Sequence, residues 1–153
     1  MALDDLYREI ILEHFRSPRN KGRLDNADIS AEGVNPLCGD QVRLCIALSG
    51  DRIADMTIDG HGCSISQASG SMMTEAVKGR TIPEAEAVAH AFKDMMLENG
   101  SAHGDVDLGD LESLEGVKQY PVRIKCAILA WNTLLGGLAS RAQGGREAKV
   151  VEE

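Results

Sequence analysis

The hydrophobic pattern changes its period near Gly60, and this change limits the chain to a few fold classes. Before that point, apolar residues alternate with others over residues 42–48, which is typical of a half-buried strand. The Ser-Gly-Asp-Arg segment at 49–52 predicts a hairpin turn, and residues 53–58 form the predicted return strand. Residues 27–33 are a weaker strand candidate. Three successive strands joined by short turns predict an antiparallel sheet.

Helical spacing of apolar residues dominates the rest of the chain. Helices are predicted over residues 3–15, 64–78, 81–96 and 122–141, while the Gly- and Asp-rich segment 99–109 is predicted to be a loop. Strands followed by helices indicate an α+β fold: a three-stranded antiparallel sheet packed against several helices in a single domain. The predicted domain covers residues 1–143, and residues 144–153 are predicted to form a polar, flexible tail.

The charge and composition exclude several classes of partner. A net charge of −8 argues against a nucleic-acid partner, which needs basic residues to neutralise phosphates, and against a polybasic membrane anchor. The acidic N-terminus does not resemble a secretory signal, and we find no apolar run near the ~20 residues that span a bilayer. These features predict a cytoplasmic protein, where thiols stay reduced. Its four cysteines are therefore expected to bind metal or react rather than form disulfides.

Three of the cysteines lie at the ends of predicted elements, where their side chains can converge. Asp40 lies two residues after Cys38, and His61 lies two residues before Cys63. Cys126 lies near the start of the last predicted helix. Three thiolates and one oxygen or nitrogen ligand form a common tetrahedral zinc site, and thiolates also bind Cu(I) and iron–sulfur clusters. Spacing alone leaves both Asp40 and His61 open as the fourth ligand. It also leaves open that the cysteines are small buried apolar residues.

Two other candidates are predicted to lie outside any such site. Cys45 is out of phase with the apolar face of its strand and is expected to be an incidental thiol. His14 lies on the apolar side of the first helix, so packing is a better explanation for it than catalysis.

Four stretches of the chain carry a resemblance to a known family. They are FRSPRNKG at 15–22, NPLCGD at 35–40, GHGCSISQASGS at 60–71 and RIKCA at 123–127. In this order they resemble the U-type iron–sulfur assembly proteins, the IscU/SufU family, from about Leu6 to Leu138. The resemblance implies a role in iron–sulfur cluster biogenesis. It also implies a metal site whose ligands are Cys38, Asp40, Cys63 and Cys126.

Two departures from the scaffold members of the family resemble its SufU branch. Scaffold members have a histidine directly before the third cysteine, where this chain has Lys125, and the segment between Cys63 and Cys126 is long. The SufU branch implies a zinc-dependent (Zn²⁺) acceptor and carrier of persulfide sulfur. Its implied partners are a PLP-dependent cysteine desulfurase of the SufS type and downstream iron–sulfur assembly proteins. Such a protein is a sulfurtransferase-type partner rather than a stand-alone enzyme.

The resemblance also implies a role for each site residue. A histidine of the partner replaces Cys38 on the zinc, so that Cys38 becomes the persulfide acceptor while the other three ligands keep the metal. Three thiolates and a carboxylate around Zn²⁺ sum to a charge of −2. Arg123 and Lys125 are expected to offset this charge and to contact an acidic partner surface.

Two alternatives to sulfur transfer remain open at this point. One is a scaffold on which a [2Fe–2S] cluster is assembled and then transferred to apo-proteins. The other is an interaction domain that zinc stabilises, without sulfur chemistry.

Overall fold

The computed structural model describes residues 3–97 and 106–152. Along the chain it contains α1 (Leu3–Arg16), β1 (Ile29–Asn35), β2 (Asp40–Ser49), β3 (Arg52–His61), α2 (Ser64–Val77), α3 (Ile82–Leu97), a 3-10 helix (Gly109–Gln119), α4 (Pro121–Ala142) and β4 (Glu147–Val151). The α+β class and the predicted helices are confirmed. Most of the predicted loop at 99–109 lies outside the described residues.

The sheet differs from the predicted one in both strand number and direction. Its four strands lie in the order β3-β2-β1-β4. β1, β2 and β3 form the predicted antiparallel meander, but β4 pairs parallel with β1, so the prediction of a three-stranded antiparallel sheet was wrong. The added strand lies in the segment predicted to be a tail. The extent of the domain, residues 1–143, stays a prediction.

β4 has no clear signature in the sequence, because it is held by backbone hydrogen bonds rather than by an apolar face. Its residues alternate between exposed and half-buried, so no apolar face marks it as a strand. Ser30 N donates to Arg146 O at 2.8 Å, and Glu152 N donates to Val34 O at 2.9 Å, on either side of the ladder. The strand thus forms on the free edge of β1, which belongs to a distant part of the chain.

The pairing of β1 with β2 produces the tight loop that carries Cys38. Asn35 and Asp40 are opposite each other at the end of the ladder, which leaves residues 36–39 as the connection. Gly39 N donates to Asn35 O at 2.9 Å, and Gly39 has a φ of 74°, a left-handed conformation that favours glycine. This loop is therefore a defined turn with exposed side chains.

The helices cover the sheet and bring α2 and α4 together. α4 packs across β1, β2 and β4, while α2 packs against β3 and α4. Inside this layer the rings of Phe92 and Trp131 stack with centroids 4.8 Å apart. Trp131 Nε1 donates to Ser69 Oγ at 3.1 Å, so α3, α2 and α4 share one buried contact. This packing sets the starts of α2 and α4 close together, beside the start of β2.

By length and composition, α4 would be able to cross a membrane, since it contains 22 residues and an apolar 18-residue window. In this fold 56% of that window is buried inside the protein. Trp131, Leu134 and Leu138 on this helix belong to the hydrophobic core. The apolar character of α4 is therefore explained by its position against the sheet.

Candidate metal centre

Four element boundaries meet at one end of the sheet, and each carries one predicted ligand. Cys38 lies in the β1–β2 loop, Asp40 begins β2, Cys63 is the N-cap residue of α2, and Cys126 lies near the start of α4. The ligand atoms of Cys38, Asp40 and Cys126 all lie within 4.8 Å of one another. Residues from two distant parts of the chain thus form a compact cluster.

The distances within the cluster suit a tetrahedral ion. Cys38 Sγ lies 3.9 Å from Cys126 Sγ. Zinc–sulfur bonds of about 2.3 Å in a tetrahedron place two sulfurs about 3.8 Å apart. Cys63 adjoins the same cluster, because its Sγ lies 3.8 Å from Asp40 Oδ2. Three sulfurs and a carboxylate form a donor set of the type that zinc binds, and the ligand atoms of Cys38, Asp40 and Cys126 also have the spacing.

Asp40 is held in place by the backbone that carries Cys63. Its side chain is buried, with 2% exposure, and its Oδ1 accepts a hydrogen bond from Cys63 N at 2.9 Å. A Cβ added at Gly62 would lie only 2.5 Å from that same oxygen, so the close approach requires glycine here. Ser66 N donates to Cys63 Sγ at 3.5 Å, so the Cys63 side chain caps the start of α2. The second carboxylate oxygen of Asp40 faces the sulfur of Cys63.

The charges of the deprotonated site favour a bound cation. Burial raises the pKa of the Cys126 thiol, and hydrogen bonding with Asp40 and Cys63 raises it further. Burial also raises the pKa of Cys38. Arg123 is exposed, and the charge of Cys63, followed by hydrogen bonding with Cys63 and Cys126, raises its pKa. One guanidinium cannot compensate three thiolates and a carboxylate, whereas a bound divalent cation makes their deprotonated forms favourable.

The structure separates the remaining candidates from this cluster. His61 is exposed, and its Nε2 lies 3.1 Å from Gln41 Oε1. Cys45 is buried in the middle of the sheet. His14 is also buried, with its Nδ1 2.8 Å from Ser71 Oγ. Within the described part of the chain, none of these three belongs to the cluster.

Comparison with known proteins identifies the family of the chain. The profile of the NifU-like N-terminal domain matches residues 6–127. The chain belongs to this NifU-like family. The zinc-dependent sulfurtransferase SufU of Bacillus subtilis (strain 168) is 49% identical over 144 residues, which cover 94% of this chain and 95% of SufU. The iron–sulfur cluster assembly scaffold protein IscU of Streptococcus pyogenes serotype M1 is 40% identical, over 86% of this chain and 82% of IscU.

Solved structures of NifU-like proteins share the fold. The FiSufU protein of Fervidobacterium islandicum AW-1, described as a scaffold protein for the SUF system, matches with a TM-score of 0.78 and 36% identity, over 90% of this chain and 99% of FiSufU. The N-terminal NifU-like protein of Brucella abortus matches with a TM-score of 0.82 and 27% identity, over 92% and 97% of the two chains. The resemblance to the IscU/SufU family is confirmed, and membership places this NifU-like protein in iron–sulfur cluster biogenesis.

Sequence reasoning missed two residues that the fold places beside the cysteine loop. Asn35 accepts a hydrogen bond from Leu37 N on its Oδ1 at 3.0 Å, and Glu152 is buried with 8% exposure next to Asn35. An Asn-Pro pair at the start of a loop is a known turn signal and would have suggested the first contact. Nothing in the local sequence indicates the position of Glu152, because its neighbours belong to β1 and α4.

Replacement of Asp40 tests the fourth ligand. Asp40→Ala removes a buried oxygen donor, and we expect zinc affinity to fall by about 100-fold, the upper end of the effects seen for residues around metal sites. Asp40→Asn keeps an acceptor for Cys63 N but loses the charge, so it should retain the fold and still bind zinc weakly. Competition with a chromophoric chelator measures both affinities.

His61→Ala is the matched control for Asp40, because the two are rival ligands at equal spacing from a cysteine. We expect this variant to bind zinc as the parent protein does. Full zinc affinity in Asp40→Ala together with a loss in His61→Ala would identify His61 as the ligand. The double variant shows whether either side chain substitutes for the other.

Proposed function

We propose that this protein is a zinc-dependent acceptor and carrier of persulfide sulfur in iron–sulfur cluster biogenesis. The observation that carries the proposal is the unequal exposure of one cluster: Cys38 is exposed on a loop, while Asp40 and Cys126 are buried, with 2% and 1% exposure. A site that only held a structural metal would gain nothing from one accessible thiolate. A site that exchanges sulfur needs one.

The proposed sulfur donor is a PLP-dependent cysteine desulfurase of the SufS type, which carries a persulfide on its own cysteine. The Cys38 thiolate attacks the terminal sulfur of that persulfide. A new S–S bond forms on Cys38 while the S–S bond to the desulfurase cysteine breaks, and that cysteine leaves as a thiolate. The exchange is balanced without an added oxidant or reductant. Downstream iron–sulfur assembly proteins would then take the sulfur from Cys38.

The proposed metal is zinc, held by Cys38, Asp40, Cys63 and Cys126. When bound, it keeps these thiols deprotonated near neutral pH, although burial favours their protonated forms. Asp40, Cys63 and Cys126 are fixed by burial, by capping of α2 or by backbone hydrogen bonds. Cys38 lies on an exposed turn, so we assign it the mobile role in the reaction.

Basic residues beside Cys126 have different parts in this proposal. Arg123 is exposed and interacts with the sulfurs of Cys63 and Cys126, so it would offset charge in the cluster and meet an acidic partner. Lys125 stands where scaffold members have a histidine, which removes one nitrogen ligand from the site. Burial raises the pKa of Glu152, and the charge of Lys125 is among the influences that lower it. Persulfides and reduced thiols persist in the cytoplasm, which is the proposed location.

Assembly of a [2Fe–2S] cluster is the second candidate. The 40% identity to an IscU scaffold protein favours it, and three thiolates suit iron as well as zinc. The two candidates differ in the group that the site holds in the cell, which is zinc in the first and a [2Fe–2S] cluster in the second. The second also requires that three sulfurs and one carboxylate suffice to retain a cluster.

The metal content of protein purified without air distinguishes the two candidates. We expect a colourless protein with about one zinc per chain, because four ligands complete a tetrahedral zinc site. Iron and sulfide should be absent, and added zinc should not be needed for desulfurase stimulation. A brown protein that contains iron and acid-labile sulfide would contradict the zinc proposal and support the scaffold function.

A further inference from the structure

A buried carboxylate lies behind the loop that carries Cys38. Glu152 follows β4 and has only 8% exposure, although it is a charged residue next to the end of the described chain. Its Oε2 accepts a hydrogen bond from Asn132 Nδ2 at 2.9 Å, and its Oε1 accepts one from Asn35 Nδ2 at 3.3 Å. Burial of a charged group costs free energy unless such partners compensate it, so this arrangement is not an ordinary surface contact.

Asn35 connects Glu152 to the loop through hydrogen bonds. Its side chain is buried, with 3% exposure, and its Oδ1 accepts a hydrogen bond from Leu37 N at 3.0 Å. The backbone oxygen of Asn35 also accepts a hydrogen bond from Gly39 N at 2.9 Å. Asn35 therefore holds the backbone on both sides of Cys38. A carboxylate can only accept hydrogen bonds, so Glu152 selects the amide orientation in which Asn35 Nδ2 faces it and Oδ1 faces Leu37.

We propose that Glu152 is a positioning residue for Cys38: through Asn35 it holds the 36–39 loop in the form that brings the Cys38 sulfur to Cys126 and Asp40. Its anchor on Asn132 connects the same carboxylate to α4, the helix that carries Cys126. One side chain thereby sets the distance between the mobile and the buried parts of the metal site. The sulfur-transfer consequence depends on the function proposed above, whereas the positioning role does not.

Amide hydrogen exchange measured by NMR on the protein as purified, with its metal, tests this role. In Glu152→Ala the Asn35 side chain loses its fixed orientation. We expect exchange of the Leu37 amide to accelerate about tenfold, the effect of losing one hydrogen bond to a charged group. The Gly39 amide should accelerate in the same direction. Transfer of the metal to a chromophoric chelator should also become faster, because Cys38 is held less firmly.

Glu147→Ala is the matched control, since it removes an exposed glutamate from β4, the strand that Glu152 follows. It should leave exchange at Leu37 and Gly39 unchanged. The central sheet amides of Leu44 and Ile46 report global stability and should exchange equally in all variants. A purely structural role of Glu152 would accelerate the sheet amides together with the loop, and that result would overturn the proposal, as would an unchanged Leu37 amide.

Glu152→Gln keeps the shape of the side chain and serves if Glu152→Ala does not fold. It retains one acceptor oxygen, so its Leu37 amide should exchange at a rate between those of the parent and Glu152→Ala. A rate equal to that of the parent would show that the charge on Glu152 contributes nothing. Suppose that loop exchange accelerates in the Glu152 variant while the parent protein accepts no sulfur. This result would support the positioning role and reject the proposed function. Normal sulfur transfer by the parent protein, with unchanged loop exchange in the Glu152 variant, would support the proposed function and reject the positioning role.

Discussion

A desulfurase loaded with persulfide is expected to place its sulfur on Cys38 in a single turnover. Cys38 is the exposed thiol of the cluster, whereas Cys126 has 1% exposure and Cys63 caps α2. Cys38 is therefore the most accessible of these three thiols to a partner's cysteine. Mass spectrometry of trapped peptides measures where the sulfur is. Cys38→Ser should lower the transfer rate by at least about 100-fold, because an unactivated alcohol is a far weaker nucleophile than a thiolate at neutral pH.

Activity loss alone cannot identify the acceptor, because all three cluster cysteines are proposed to hold the metal. The location of the persulfide can. Cys45→Ala provides the control, since Cys45 is buried in the sheet away from the cluster, and it should accept sulfur at the parent rate. Persulfide found first on Cys63 or Cys126, with Cys38 unmodified, would show that the acceptor assignment is wrong even if the zinc site is correct.

Removal of the metal should lower the midpoint of thermal unfolding by about 10 °C or more. Zinc binding contributes roughly 10–16 kcal/mol in peptides that fold around the ion, and a domain with its own core gains a smaller part of this. A few kcal/mol in a protein of this size correspond to a shift of this order. The proposed metal would join the β1–β2 loop to the starts of α2 and α4, so its loss would release three elements. Calorimetry before and after chelation measures the shift.

Cysteine variants separate the effect of the metal from that of the chelator. Cys63→Ser and Cys126→Ser should melt at lower temperature than the parent and should respond little to chelation. Cys45→Ala is the control for loss of a thiol outside the cluster and should keep the full response. An unchanged melting temperature after verified metal removal would reject the stabilising role of the ion.

Local signals in the sequence predicted most of the regular structure. The predicted hairpin is confirmed, with Ser49 opposite Arg52 at its end, as are the helices that begin at Ser64 and near Thr81. Thr81 and Glu84 form the reciprocal contacts of a capping box, at 2.9 Å and 3.3 Å. These elements depend on hydrophobic period, turns and caps, which act between residues a few positions apart.

The family and its cluster were also predictable, because motifs around Cys38, Cys63 and Cys126 identify the family without any distance. The ligand set came from that resemblance, since spacing alone left Asp40 and His61 equal. The fold distinguishes them. Asp40 is buried against Cys63. His61, the last residue of β3, is exposed and lies beside Gln41. The direction of a side chain at the end of a ladder depends on strand register, which spacing does not encode.

What the amino-acid sequence determined alone was therefore local: the helices, the β2–β3 hairpin and the identity of the cysteine motifs. Only the tertiary structure decided that residues 147–151 form a parallel strand on β1, and that Glu152 lies beside Asn35. Both features depend on partners more than 100 residues away along the chain; Asn35 and Glu152, for example, are 117 residues apart. A strand without an apolar face and a carboxylate without local partners gain their free energy only when the rest of the fold supplies the hydrogen bonds.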